Sequence, residues 1–388
     1  MEPVNVIGVG MTKFGVLDDS LVQLAETAAF KAMSDSQTPT QEIDHLVVGS
    51  HNPDEFVNMS HLSTLLADRI GIVPAGATRV ETGPSSGSSA FETGFTMIAS
   101  GHFELVLVIG VEKMSTVDRG TSIRILTKML SHENETRYGA TPASLAALVT
   151  RRYMYQYGVT RDELSLVPVK AHRNAAKNPL AHFQNDVTVE KVNNARVVAD
   201  PLTLYDCCPT SDGAAAVVLA SDKLVKELGV TEQAVSVLGI GHGTDYHALQ
   251  HRHSLTSFGA TIAAAEKAFS MAKVQPQDID VFELHDAFSI LELVNMEDIG
   301  IAEPGNAIDM VKNGATEVDG PFPVNTTGGL KARGHPSGAT GIAQIHDVYC
   351  QLLQKAPKGL QVNDPALGLT QNIGGFGNNM VVGIFSTT

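Results

Sequence analysis

Asn325–Gln344 reads NTTGGLKARGHPSGATGIAQ and holds five glycines, Gly328, Gly329, Gly334, Gly338 and Gly341, with Pro336 directly after His335. Glycine permits positive φ and close backbone approach, and proline suits the start of a helix but not its interior. From Ser337 onward small residues come first and apolar residues then recur with helical periodicity, which predicts a helix. His335 therefore falls at a helix N-terminus on a glycine-rich loop. Unpaired amides and the positive end of the helix dipole disfavour an imidazolium there and favour an anion nearby. A neutral imidazole in that place can act as a base or donate a hydrogen bond to an enolate oxygen. The plainer alternative is a histidine packed in a glycine turn.

Working outward, 388 residues suit two domains of ordinary size. At 43% hydrophobic and 18% charged residues, the chain has the composition of a well-buried globular protein. No run approaches the roughly 18 apolar residues of a membrane span. The net charge of −15 argues against a nucleic-acid surface. The cysteines are Cys207, Cys208 and Cys350, whose spacing fits neither a disulfide framework nor a metal site, so no metal is expected. The N-terminal MEPVNVIGVG reads as a strand and not a signal peptide, which makes the cytoplasm the expected location.

The chain echoes itself. Val4–Gly10, VNVIGVG, returns almost letter for letter as Val235–Gly241, VSVLGIG. Each is followed by a helix carrying Lys-Ala (Lys31 and Lys267), a proline (Pro39 and Pro276), and an acidic-Ile-Asp triplet before a strand, with Ile43 matching Ile279. A weaker echo sets Pro84-Ser-Ser-Gly, opening an apolar helix expected over 88–100, beside His335-Pro-Ser-Gly. Self-similarity at so long a period predicts a duplicated β-α-β unit and an α/β fold. The boundary falls at 1–232 and 233–388. A polar, less regular stretch at about 115–200 interrupts the first half.

The Asn325–Gln344 run resembles the GHP loop of the thiolase superfamily, most closely its archaeal and sterol-carrier-protein-linked branch. DPLTLYDCCPTSDGAAAVVL at Asp200–Leu219 also resembles that family, so the likeness spans nearly the whole chain. The resemblance implies two similar halves stacked as five layers, α-β-α-β-α, around a shared central helix layer. It also implies a loop domain over the active site, a coenzyme A thioester as substrate with no permanently bound cofactor, and a homodimer or homotetramer. Members of the branch pair with a DUF35-type zinc and OB-fold partner.

Thiolase chemistry needs a cysteine that takes the acyl group, an acid/base group, and donors that hold an enolate oxygen. Where relatives carry the nucleophile, this chain has Val80-Glu-Thr-Gly-Pro-Ser-Ser-Gly87, which puts Pro84 at the cysteine position. Proline has no acidic hydrogen. Ser85 and Ser86 are displaced candidates, more simply read as capping the helix that Pro84 starts. The relatives' H-D-C-F becomes His285-Asp286-Ala287-Phe288, so the acid/base position is Ala287. Cys207 matches a family cysteine outside the reacting centre, while Cys208 and Cys350 read as structural. The candidates that remain are His285 and His335, the enolate-holding pair, with Asn325 and Gly377 in matching loops. Asp286 either orients His285 or caps the helix expected at Phe288, and capping is favoured. Three functions follow. The first is a thiolase-like acyl-CoA acyltransferase working by Claisen-type chemistry without ordinary cysteine-dependent thiolysis. The second is a non-catalytic subunit of a thiolase and DUF35-type complex. The third is a retro-aldolase of a β-hydroxyacyl-CoA, for which Tyr138 is the one vague tyrosine candidate.

Overall fold

The computed structural model describes residues 1–387. The chain begins β1 (Val4–Met11), α1 (Leu21–Asp35), β2 (His45–Gly49), α2 (Pro53–Phe56), α3 (Leu62–Ile70), β3 (Gly76–Val80), α4 (Ser86–Ala99) and β4 (Leu105–Glu112). A mostly helical excursion follows: α5 (Arg119–Thr127), α6 (Pro142–Tyr157), α7 (Arg161–Leu164), α8 (Leu166–Ala175), α9 (Val189–Asn193) and a small hairpin of β5 (Val197–Ala199) and β6 (Leu202–Thr203). β7 (Gly213–Ser221) and α10 (Asp222–Leu228) return to the first half. The second half holds β8 (Val235–Thr244), α11 (Gly259–Ala272), β9 (Val281–Leu284), α12 (Ser289–Ile299), α13 (Ala307–Lys312), α14 (Ser337–Leu352), β10 (Leu367–Gly374) and β11 (Asn379–Thr387).

The two halves are not separate sheets. Among the described residues nine strands form one mixed sheet in the order β3-β2-β4-β7-β1-β8-β11-β10-β9. Its halves meet at β1 and β8, the two echoed segments, through only the pairs Asn5↔Ser236 and Val6↔Val235. So narrow a join lets both halves fold over the same helices. α14 packs on β4 and β7 from one half and on β9 and β10 from the other, with α4 alongside it. α1 and α3 cover the outer face of the first half, and α11 and α12 that of the second. The result is the layered α/β architecture expected. β4 and β7 are buried along their whole length, as strands with helices on both faces must be.

The echoes are structural equivalents. A Cβ on Gly10 would lie 2.3 Å from the Ala28 carbonyl oxygen, and one on Gly241 2.0 Å from that of Ala264. The repeated glycines therefore let α1 and α11 lie directly on their strands. The Lys31 ammonium donates to the Met11 carbonyl at 2.9 Å, and that of Lys267 to the His242 carbonyl at 2.5 Å, each closing the end of its own echoed strand. Ile43 and Ile279 are both buried. Asp44 accepts the amides of Glu104 and Leu105, and Asp280 those of Ala366 and Leu367, so each starts the neighbouring strand of its own half.

Two expectations need correction. The helix after Pro84 begins at Ser86, two residues early, because Ser86 Oγ accepts the Thr82 amide and donates to the Gly83 carbonyl, closing the turn ahead of it. The stretch at 115–200 is largely helical. α6 starts on a capping box between Thr141 and Ser144 with Pro142 in its first turn, and Gly158 ends it at φ 72°.

Candidate functional site

The echo between Pro84-Ser-Ser-Gly and His335-Pro-Ser-Gly places Ser86 and Ser337 as the first residues of α4 and α14, side by side in the central layer. Pro84 and His335 thus arrive at equivalent places. Both line one cavity of about 560 Å³, within the range of small-molecule sites. His285, Ala287 and Gly377 also line it. The rest of the wall is mostly apolar, with Met114, Ile123, Leu126, Met129, Leu204, Phe288, Leu291, Ile373 and Phe376. Arg119, at the start of α5, is the lysine-or-arginine charge among them.

His285 leaves the C-terminal end of β9 and His335 the loop before α14, and their rings meet edge to face with centroids 5.0 Å apart. The Ile373 amide donates to His285 Nδ1 at 3.2 Å, and Asn372 Nδ2 lies 3.0 Å from the same atom. A main-chain amide can only donate. Nδ1 of His285 is therefore the bare nitrogen, and Nε2 carries the proton of the neutral ring. For His335 the assignment reverses. Thr340 Oγ1 lies 2.9 Å from the Pro336 carbonyl, which can only accept, and 2.7 Å from His335 Nδ1; with the hydroxyl proton assigned to the carbonyl, only lone pairs face Nδ1. Nδ1 of His335 is protonated and Nε2 is bare. The pair offers one N–H donor and one basic nitrogen.

Both rings are held neutral. Burial first, then the Arg333 guanidinium and His51, pushes His335 down to about 3. Burial, then His335 and Arg333, lowers His285 well below the usual imidazole range. A histidine whose folded pKa is depressed below 6.5 contributes stability that is present above that value and lost as pH falls through the folded one. Between about pH 7 and pH 5 the His335 ring should withdraw ~2 kcal/mol, and His285 acts in the same direction. We expect the ring carbon signals of His285 and His335 to keep neutral-form shifts in NMR spectra down to about pH 5. A titration midpoint near 6.5 for either ring would contradict this electrostatic picture.

The anion expected at the start of α14 is internal. Buried Glu112 accepts the amides of Gly338 (3.0 Å), His51 (2.7 Å) and Asn52 (3.2 Å), and desolvation raises it to about 7. Asp286 neither caps α12, which starts at Ser289 without a side-chain cap, nor touches His285 by a hydrogen bond. Its carboxylate accepts the Leu330 amide at 2.6 Å in the π-helical turn Gly329–Arg333 and lies where a Cβ on Gly329 (φ 54°) would stand.

Asn325 is buried behind the site, accepting the Leu284 amide and donating to Glu292, both at 2.8 Å. It positions the end of β9 without lining the cavity. Ser85 and Ser86 are buried and also absent from the lining. Ser85 Oγ is engaged by Thr82 and Asn379, and Ser86 Oγ by the Thr82–Gly83 turn. Tyr138 is exposed and outside the cavity. Cys207 and Cys208, which the sequence places away from the centre, both line it, whereas Cys350 lies on α14 beside His346. The only signal for Cys207 and Cys208 was their place within the family-like segment Asp200–Leu219. Among the described residues no cluster of metal-ligating side chains occurs, and no helix is long and apolar enough to cross a membrane.

Comparison with known proteins agrees with this fold. Residues 4–223 match the family model "Thiolase, N-terminal domain", and residues 241–387 match "Thiolase C-terminal domain-like". An acetyl-CoA acetyltransferase of Methanothermobacter thermautotrophicus is 43% identical over 387 residues, covering 100% of both chains. One from Methanocaldococcus jannaschii is 41% identical, covering 100% of this chain and 99% of the relative. Among solved structures, an Ltp2-ChsH2(DUF35) aldolase is similar with a TM-score of 0.85 at 25% identity, over 99% of this chain and 98% of that one.

Proposed function

This chain belongs to the thiolase family, and on that premise we propose that it makes or breaks the carbon–carbon bond beside an acyl-CoA carbonyl through an enolate, without a cysteine-borne acyl-enzyme. The observation that carries the reading is the pair of histidines meeting edge to face at a mostly apolar cavity where α4 presents Pro84. In this reading Nε2–H of His285 donates to the thioester oxygen as negative charge builds on it, and Nε2 of His335 takes a proton. Apolar walls strengthen both interactions by excluding water. Pro84 stands where the family resemblance expects the nucleophile, and Ser85 and Ser86 are held elsewhere.

Of the reactions an enolate serves, retro-aldol cleavage of a 3-hydroxyacyl-CoA, and its reverse, needs a base for the hydroxyl and a donor for the enolate, with no acyl-enzyme. The likeness to the Ltp2-ChsH2(DUF35) aldolase supports this reading, and supports a partner of DUF35 type. The second reading is direct Claisen-type acyl transfer, favoured by the archaeal relatives named acetyl-CoA acetyltransferase. The non-catalytic subunit stands third, because it gives the paired histidines at the cavity no task.

Intact-mass measurement after incubation with acetyl-CoA or acetoacetyl-CoA, run beside a Pro84→Cys variant, tests the missing acyl-enzyme. The wild type should gain no acetyl group, and the variant should gain one at the substituted position. Chromatography should then find a shortened acyl-CoA and a free carbonyl compound when the wild type meets a 3-hydroxyacyl-CoA. An acetyl group mapped to Ser85 or Ser86 of the wild type would restore covalent acyl transfer and sink the proposal.

A further inference from the structure

A carbanion formed beside a thioester must be protonated before product leaves. On the enolate reading above, on which this inference rests, neither histidine is free to do so. The single N–H that His285 presents is on the enolate oxygen, and the protonated His335, having taken the hydroxyl proton, faces the departing carbonyl oxygen and not the α-carbon. The other ionisable groups lining the cavity are Arg119, Cys207 and Cys208. Arg119 is carried by α5 and not by the segment that bridges the two histidine loops. The thiols remain.

Their backbone ties the two histidine loops together. The Cys208 amide donates to the Ala287 carbonyl at 2.8 Å, Cys207 is bridged to Phe288, and Thr210 is bridged to His335. Neighbouring residues of an extended segment face opposite ways, so Cys208 shares a side with Ala287, a lone methyl at the cavity. The Cys207 thiol donates to the Thr203 carbonyl at 3.6 Å. The Cys208 thiol is met by its own main-chain amide. A second observation points to the same place. Lys331 is buried, its Nζ has no hydrogen-bond partner, and its charge acts on Cys207, Cys208, Asp206 and Asp286. Burial pushes the Cys208 thiol up to about 12, which keeps it protonated, while Lys331 pulls the other way and so favours the thiolate once its proton has left.

We propose that Cys208 is the catalytic acid that protonates the enolate carbon, with Lys331 the positioning cation that holds the thiolate left behind. In the retro-aldol direction His335 Nε2 takes the proton of the β-hydroxyl. The Cα–Cβ bond breaks, its electron pair entering the enolate while the β-carbon leaves as a carbonyl. The S–H bond of Cys208 then breaks as Cα–H forms. The His335 imidazolium finally returns its proton to the thiolate, so the cycle consumes no oxidant, reductant or co-reactant.

The test uses the full chain as wild type, Cys208→Ala, Cys208→Ser and Cys350→Ala. Mass spectrometry follows deuterium uptake at the α-carbon of acetyl-CoA in heavy water, cleavage of a 3-hydroxyacyl-CoA is followed in parallel, and a thermal shift with coenzyme A reports folding and binding. Cys208→Ala should slow exchange and turnover about 100-fold, with KM and the thermal shift retained and Cys350→Ala unchanged. Exchange within about twofold of wild type in Cys208→Ala overturns the proposal but leaves the enolate reading standing. A wild type that binds coenzyme A yet neither exchanges nor cleaves overturns both. Should Cys208→Ala fail to fold, Cys208→Ser decides: its weaker acid must slow exchange, and wild-type exchange in that variant overturns the proposal.

Discussion

Replacing His335 with glutamine is expected to lower turnover of the thioester by a factor of about 10³, at the middle of what a lost general base costs, with little change in KM. Glutamine suits this test because its side-chain amide can reach the position of Nε2 and offer a hydrogen bond there, but it is no base. The prediction follows from one hydroxyl. Thr340 gives its proton to the Pro336 carbonyl, so His335 must donate to Thr340 from Nδ1 and keep Nε2 bare. At His285 the same substitution should be milder, about 10-fold to 100-fold. There Nε2 is a donor, and a glutamine amide can still give a hydrogen bond to an oxygen from that place. Steady-state kinetics on the two variants settles the roles. Equal losses, or a larger loss at His285, would mean that the tautomers are assigned the wrong way round.

What could be read beforehand was local. The histidines were legible because glycine and proline punctuate the chain around His335, and because His285 follows a short apolar strand that must end somewhere chemical. The duplication was legible because Gly10 and Gly241 each allow a helix to lie on a strand, a need that preserves letters. Partners contributed from a distance were invisible. Glu112 accepts an amide at the N-terminus of α14 across 226 residues, and Asp286 turns to Leu330 across 44. Neither distance leaves a periodicity. The region from α5 to α9 looked irregular because its apolar face is narrow. Leu145, Val149 and Tyr153 recur at helical spacing, but their partners lie on α12, far along the chain. Cys208 escaped for the same reason, since its importance comes from the Ala287 carbonyl and not from its neighbours.

Gly338→Ala should cost roughly 2–4 kcal/mol, a sign opposite to what helix propensity alone predicts. Gly338 lies in the first turn of α14, where alanine would ordinarily gain about 1 kcal/mol over glycine. Here its Cβ would stand 2.6 Å from the Val111 carbonyl oxygen, 2.7 Å from Ser50 Cα and 2.8 Å from the Gly49 carbonyl oxygen. All three are backbone atoms at the ends of β2 and β4, so no rotamer change relieves the contact. Nor can α14 retreat. A Cβ on Gly87 would already lie 2.6 Å, and one on Gly110 2.4 Å, from the carbonyl oxygen of Gly338 itself. Four glycines from two strands and two helices thus meet at one point. The closeness they allow is what carries the Gly338 amide to Glu112 and puts His335 at the cavity. Urea unfolding followed by circular dichroism should show the lowered midpoint, with Gly15→Ala, on an open site at 3.6 Å from its nearest neighbour, as the neutral control. The variant should also lose thioester turnover at temperatures where it remains folded, since moving α14 off the strands moves His335 with it. A midpoint equal to wild type would show that the central layer yields at little cost, and the rigid placement of the histidine loop would have to come from elsewhere.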